Sequence, residues 1–193
     1  MQLLSFLAVL ALAAQAPVTL FEIELWPGEG RPEFQAVAYE LVIRERPSAS
    51  AAVTRRLGVT RGQHLAFDET RYRTTESSRI QVLVAASVTG RVLGAVRRLT
   101  SDRYYKGRFP TQAIAVEPGD VIEYFQERAE GTCFVQIADQ VIDADPCPVQ
   151  DERSFRLNTQ PKTEWWIRVV VDRLPVGWAM VDGSAIQESG RSF

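Results

Sequence analysis

The chain has 193 residues, 46% of them hydrophobic and 24% charged, with a formal net charge of -2. That balance belongs to a globular protein and excludes a disordered or collagen-like chain. The length holds one large domain or two small ones.

Met1 to Ala16 reads MQLLSFLAVLALAAQA, with no charged side chain and an apolar run from Leu3 to Ala14. Ala14-Gln15-Ala16 completes the pattern of a signal peptide, with a cut after Ala13 as an alternative. A buried N-terminal helix is the competing reading. The run is shorter than the roughly 20 residues a membrane-crossing helix needs. No later segment is apolar enough to span, so a periplasmic or secreted protein without a stable membrane span is expected.

Phe21, Ile23 and Leu25 alternate with Glu22 and Glu24, which predicts a half-buried strand, and Trp26-Pro27-Gly28-Glu29-Gly30 predicts a turn. A second strand is expected from Phe34 to Ile43, with Val37, Tyr39 and Leu41 on one face. Arg46-Pro47-Ser48-Ala49-Ser50 reads as a loop, Val53, Leu57 and Val59 as the next apolar set, and Arg61-Gly62-Gln63 as a turn. Ile80, Val82 and Val84 alternate again, Thr89-Gly90 predicts a turn, and Arg91 to Val96 a returning strand. Thr100-Ser101-Asp102 fits the cap of a short helix carrying Tyr104 and Tyr105. Glu117-Pro118-Gly119-Asp120 is a turn signal before a strand over Val121 to Phe125. Val149 to Thr163 reads as a long loop, Trp165 to Val171 as a strand, Pro175 to Trp178 as a turn, and the last ten or so residues as a loosely held polar tail. Many short strands punctuated by Gly and Pro predict an all-β barrel or sandwich.

Cys133 and Cys147 are the two cysteines, and in an exported chain they predict one disulfide. A hairpin centred on Gln140 would set them opposite each other as cross-strand neighbours, close enough to bridge.

Charge is uneven along the chain. Ala38 to Arg108 holds 14 Lys/Arg against 6 Asp/Glu, and Phe109 to Phe193 holds 7 against 14. The two halves attract each other, or the basic half meets an anionic polymer, or the arginines form a solvated face. No aromatic residues interleave with the arginines as single-stranded nucleic acid requires, so nucleic acid is not expected as a partner.

Leu41-Val42-Ile43-Arg44-Glu45-Arg46-Pro47-Ser48-Ala49-Ser50, followed by Val53 and Leu57, resembles the opening of bacterial SH3-like (SH3b) domains. Gly90-Arg91-Val92-Leu93-Gly94-Ala95-Val96 sits where that family has its closing hairpin, without the family's Trp. Glu164-Trp165-Trp166-Ile167-Arg168-Val169 and Gly177-Trp178-Ala179-Met180-Val181 are similar to the same family's closing segment. The resemblance implies a mainly β chain: one small SH3-like barrel over residues 17–99, after a leader over 1–16, then a divergent SH3-like barrel over 100–193 holding the disulfide. It also implies binding of cell-wall glycopeptide or of an envelope protein.

His64 is the only histidine, and a Cys-His peptidase would need a free thiol. One His and two Cys match no common zinc pattern. Asp139, Asp143 and Asp145 lack a calcium-loop spacing and read as a solvated acidic edge. Glu123 and Glu127 lack the cleft that a glycosidase pair needs. No catalytic residue, metal or cofactor is therefore expected. Tyr104, Tyr105, Trp165 and Trp166 are the ligand-binding candidates. Neighbours on a strand point to opposite faces, so one of each pair should enter the core and the other be exposed or at an interface. Trp178 is assigned to the core. The functional expectation is a non-enzymatic envelope binding module. The alternatives are an accessory subunit of an envelope complex and, less favoured, a wall hydrolase.

Overall fold

The computed structural model describes residues 20–26 and 30–192. The expected leader and the middle of the Trp26–Gly30 turn lie outside the described residues. The fold is mainly β. The strands are β1 (Phe21–Ile23), β2 (Arg31–Ala36), β3 (Glu40–Arg44), β4 (Val53–Gly58), β5 (Phe67–Glu76), β6 (Ser78–Val82), β7 (Ala86–Gly94) and β8 (Arg98–Leu99). The short helix α1 (Ser101–Lys106) precedes β9 (Thr111–Val116), β10 (Val121–Glu127), β11 (Cys133–Ile137), β12 (Gln140–Ala144), β13 (Phe155–Leu157), β14 (Lys162–Val171), β15 (Leu174–Met180) and β16 (Ile186–Ser192).

Two seven-stranded sheets and a ribbon result. The first sheet has the order β4-β3-β15-β14-β5-β1-β8, the second β13-β6-β10-β11-β12-β7-β9, and β16 pairs with β2 in the ribbon. Strands from residues 17–99 and 100–193 interleave in both sheets: β14 pairs with β5, β15 with β3, β10 with β6, and β7 with β9 and β12. The chain passes from the first sheet to the second between β5 and β6, with only Ser77 between them.

Strand alternation explains the cores. On β11, Cys133 and Val135 join a cluster with Ile80, Ile122 and Ile142 on one side of the second sheet. Phe134 points the other way, into a cluster with Phe21, Ile23 and Leu99 that lies between the sheets. Phe21 stacks on Phe125 at 5.1 Å and meets Phe134 at 5.2 Å. Under the ribbon, Phe34, Leu41, Ile43, Ile167 and Ala179 form a third cluster. Each fully buried Val, Leu, Ile or Phe among them contributes about 1.5–3 kcal/mol.

Several expected elements are redrawn. The strand expected over Phe34–Ile43 is two strands with a break at 37–39, which leaves Tyr39 exposed and Leu41 buried. Val84 lies past the end of β6 and is exposed. Gly90 does not turn the chain but sits inside β7, where a Cβ would lie 2.4 Å from the Asp143 carbonyl oxygen. Glycine there serves close strand approach. The 149–163 loop contains β13, the turn before β15 falls at Asp172-Arg173, and the polar tail forms β16. Thr100 caps α1 as expected, accepting from the Arg103 N–H at 3.2 Å.

The disulfide forms, with Cα atoms 5.2 Å apart, but by a different route. The hairpin turns at Ala138-Asp139, so Cys133 pairs with Ala144 rather than with Cys147. Cys147 lies beyond the Asp145-Pro146 bend, and its N–H donates to the Gly131 carbonyl at 2.7 Å beside Cys133.

Candidate functional site

One face of the first sheet is apolar and packs on the ribbon and the second sheet. The opposite face carries charge. Register places Glu22 and Glu164 on either side of Arg73, Trp166 beside Arg71, Glu69 and Trp178 beside Arg168, and Arg44 beside Trp178. With Arg98 of β8 beside Glu22, the result is a ladder of alternating arginines and acids, Arg98-Glu22-Arg73-Glu164, across β8, β1, β5 and β14. Arg71 contacts Glu22 at 3.2 Å, Glu24 at 3.0 Å, and also Glu69. Arg73 contacts Glu22 at 3.3 Å and Glu164 at 3.0 Å. Arg98 reaches the same two N-terminal acids, Glu22 at 3.3 Å and Glu24 at 3.1 Å. Arg168 forks onto Asp68 with two bonds of 2.8 Å.

Burying an unpaired guanidinium would cost several kcal/mol. Burial pulls the Arg71 pKa below its ordinary value, and Glu69 and Glu24 act against that pull. An arginine so lowered still stays charged. Arg71 and Arg168 also lie over the Trp178 ring, at 5.5 and 5.9 Å from its centroid. Hydrogen bonding to Asp68 raises the Arg168 pKa. Part of the basic surplus of the middle segment is thus matched by acids from both ends of the chain.

The loop between β3 and β4 stands over this ladder. Arg44 Nη1 donates to the Ala51 carbonyl at 2.6 Å, Arg73 donates to the Pro47 carbonyl, and the Ser48 and Ser50 hydroxyls share a bond of 2.9 Å. Between loop and ladder lies an open cavity of about 570 Å³, lined by Glu22, Arg46, Pro47, Ser48, Arg98 and Trp178 among others. The Arg46 and Arg98 side chains are 74% and 57% exposed, so their guanidiniums stand at its rim. Arg46, Pro47, Ser48 and Ser50 therefore form one wall of the cavity.

The aromatic candidates are not brought together. Trp165 and Trp166 lie on β14 in the first sheet, and Tyr104 and Tyr105 lie on α1 against the second. Neither Trp is an exposed anchor. Trp166 is 1% exposed and donates its Nε1–H to Glu164 at 2.9 Å. Trp165 lies half-buried under the ribbon, edge-on to Phe34 at 4.9 Å. Tyr104 is buried, whereas Tyr105 is 72% exposed. Trp178 is buried, as assigned.

Asp143 corrects the acidic-edge expectation. Its buried carboxylate accepts from the Tyr104 hydroxyl at 2.8 Å and from Arg128 at 3.2 Å, with Arg91 at 3.7 Å. Burial raises its pKa, and Arg128 and Arg91 oppose that rise. Asp139 and Asp145 are exposed, and so are His64 and Glu127. Sequence reasoning passed over the ladder residues Arg71, Arg73, Arg98 and Arg168. The available signal was the period-two placement of Glu69, Arg71 and Arg73 along β5.

No protein-family model matches the chain, and no curated protein or solved structure matches it either.

Proposed function

We propose that this protein is a non-enzymatic binding module of the bacterial envelope, acting in the periplasm or outside the cell. Its ligand is peptidoglycan glycopeptide or an envelope protein, held at the cavity between the β3–β4 loop and the arginine–glutamate ladder. The observation that carries this reading is the cavity itself: guanidiniums at its rim, carboxylates on its floor, and a wall made by the segment that resembles SH3-like domains. Carboxylates of a stem peptide suit Arg46 and Arg98 through charge-assisted bonds. Amino groups suit Glu22 and Glu69. The SH3-like kinship proposed for the first part of the chain rests on the β3–β4 hairpin, whose second strand begins at Val53.

The test is co-sedimentation of the chain, freed of any leader, with isolated cell-wall sacculi at low and high salt. Saturable pelleting supports the wall ligand, and the part lost on adding salt measures the exposed arginines. Absence of pelleting at both salts overturns the wall ligand and leaves an accessory role beside a protein partner.

A further inference from the structure

We infer that β9 pairs antiparallel with β9 of a second copy of this chain, joining the second sheets of two molecules across a twofold axis. β9 ends its sheet, with β7 on one side and no described strand on the other. The Val92 N–H donates to the Pro110 carbonyl, and the register continues through Gly90 with Gln112, Val88 with Ile114 and Ala86 with Val116. In an antiparallel ladder, bonded pairs alternate. Gln112, Ile114 and Val116 therefore spend their backbone groups on β7. Thr111, Ala113 and Ala115 turn theirs outward, and all three residues are exposed.

The other sheet edges are blunted as edges usually are. β4 carries Arg55 and Arg56, β13 has three residues with Arg156 among them, and β8 has two residues with Arg98. β9 reads Thr-Gln-Ala-Ile-Ala-Val, with no charge and no proline. Its flanks carry opposite signs: Arg108 precedes it, and Glu117 and Asp120 follow it. With Ala113 opposite Ala113 of the second copy, Thr111 faces Ala115 and every outward N–H and C=O gains a partner. The twofold then brings Arg108 of each copy towards the Glu117–Asp120 flank of the other, at both ends. Parallel pairing would set like charges side by side. The small alanines let the two strands approach without a clash.

The seam is short, well under the roughly 1,200–2,000 Å² of a standard stable interface, so the dimer is weak and concentration-dependent. Sedimentation velocity over a rising protein series should show a reversible monomer–dimer shift. Ala113→Lys places two ammonium groups opposite each other and should leave monomer at every concentration, with an unchanged circular dichroism spectrum and urea midpoint. Glu117→Arg should weaken the dimer at least tenfold, and Arg108→Glu added to it should restore dimerisation. Wild-type chain that stays monomeric throughout overturns the proposal, as does a dimer that survives Ala113→Lys. A β9 edge that takes an extended peptide of another protein would give the first of these results.

Discussion

Gly177 lies where the β3–β4 hairpin joins the rest of the first sheet, and its replacement by alanine tests that seam. β15 and β3 share a single register pair, Trp178 with Arg44. Gly177 beside it has φ +131°, and a Cβ there would lie 2.6 Å from Ile43 Cγ2 and 2.7 Å from the Arg44 carbonyl oxygen. Two costs add. A side chain in that backbone region costs about 1–3 kcal/mol. Forcing a methyl group against a packed strand costs about 1–3 kcal/mol more. Gly177→Ala should therefore lose about 2–6 kcal/mol, a large part of the roughly 5–15 kcal/mol that holds a domain together. Gly94 supplies the control: its φ is +80°, but a Cβ there meets nothing within 4 Å. Gly94→Ala should show the backbone cost alone. Urea unfolding followed by tryptophan fluorescence and circular dichroism gives both values. A Gly177→Ala loss no larger than that of Gly94→Ala would refute the β15–β3 contact, whereas a variant too unstable to fold would agree with it.

Two further perturbations address the second sheet. Cys133 and Cys147 close a loop with a sequence separation of 14, so replacing both with alanine should cost about 3 kcal/mol in the chain-entropy model. The urea midpoint of the double variant, compared with that of the oxidised wild type, measures it. Asp143 gives a pH signature. Burial raises its native pKa, so between the ordinary carboxylate value near ~3.9 and the native value the folded chain binds more protons than the unfolded one. Its contribution is greatest at the acid end and falls as pH rises through the native pKa. The stability of wild type minus that of Asp143→Asn should therefore decline as pH climbs from the acid side, and a difference that grows instead would contradict the buried geometry.

The apolar elements were legible because alternation and turn chemistry are local. Phe21-Glu22-Ile23, the Glu117–Asp120 turn and the Thr100 cap all read directly from neighbouring residues. β5 was not legible, although it is central to the first sheet. Its sequence, FDETRYRTTE, looks like a solvated segment, since its arginines are buried by partners that other strands and the β3–β4 loop bring to them. Gly90 and Gly177 read as turns because glycine's need for close strand approach is invisible until the neighbouring strand is known. The polar β16 is held by backbone pairing to β2, which leaves no apolar period to see. The interleaving of early and late strands is a matter of long-range pairing, and no local pattern encodes it. At the candidate site, the Arg46-Pro47-Ser48 wall was marked by its resemblance, but its floor came from residues distant in sequence.

If the loop–ladder cavity is the binding surface, sacculus co-sedimentation of the Arg46→Ala/Arg98→Ala variant should reveal it. Both side chains are largely exposed, and Glu22 and Glu24 keep Arg71 as a partner when Arg98 is removed, so the fold should survive; Arg55→Ala/Arg61→Ala, two exposed arginines outside the cavity, serves as the matched charge control. The Arg46→Ala/Arg98→Ala variant should bind at least tenfold more weakly at low salt, with Arg55→Ala/Arg61→Ala near wild type. Equal pelleting of all three proteins would contradict it and move the binding surface elsewhere.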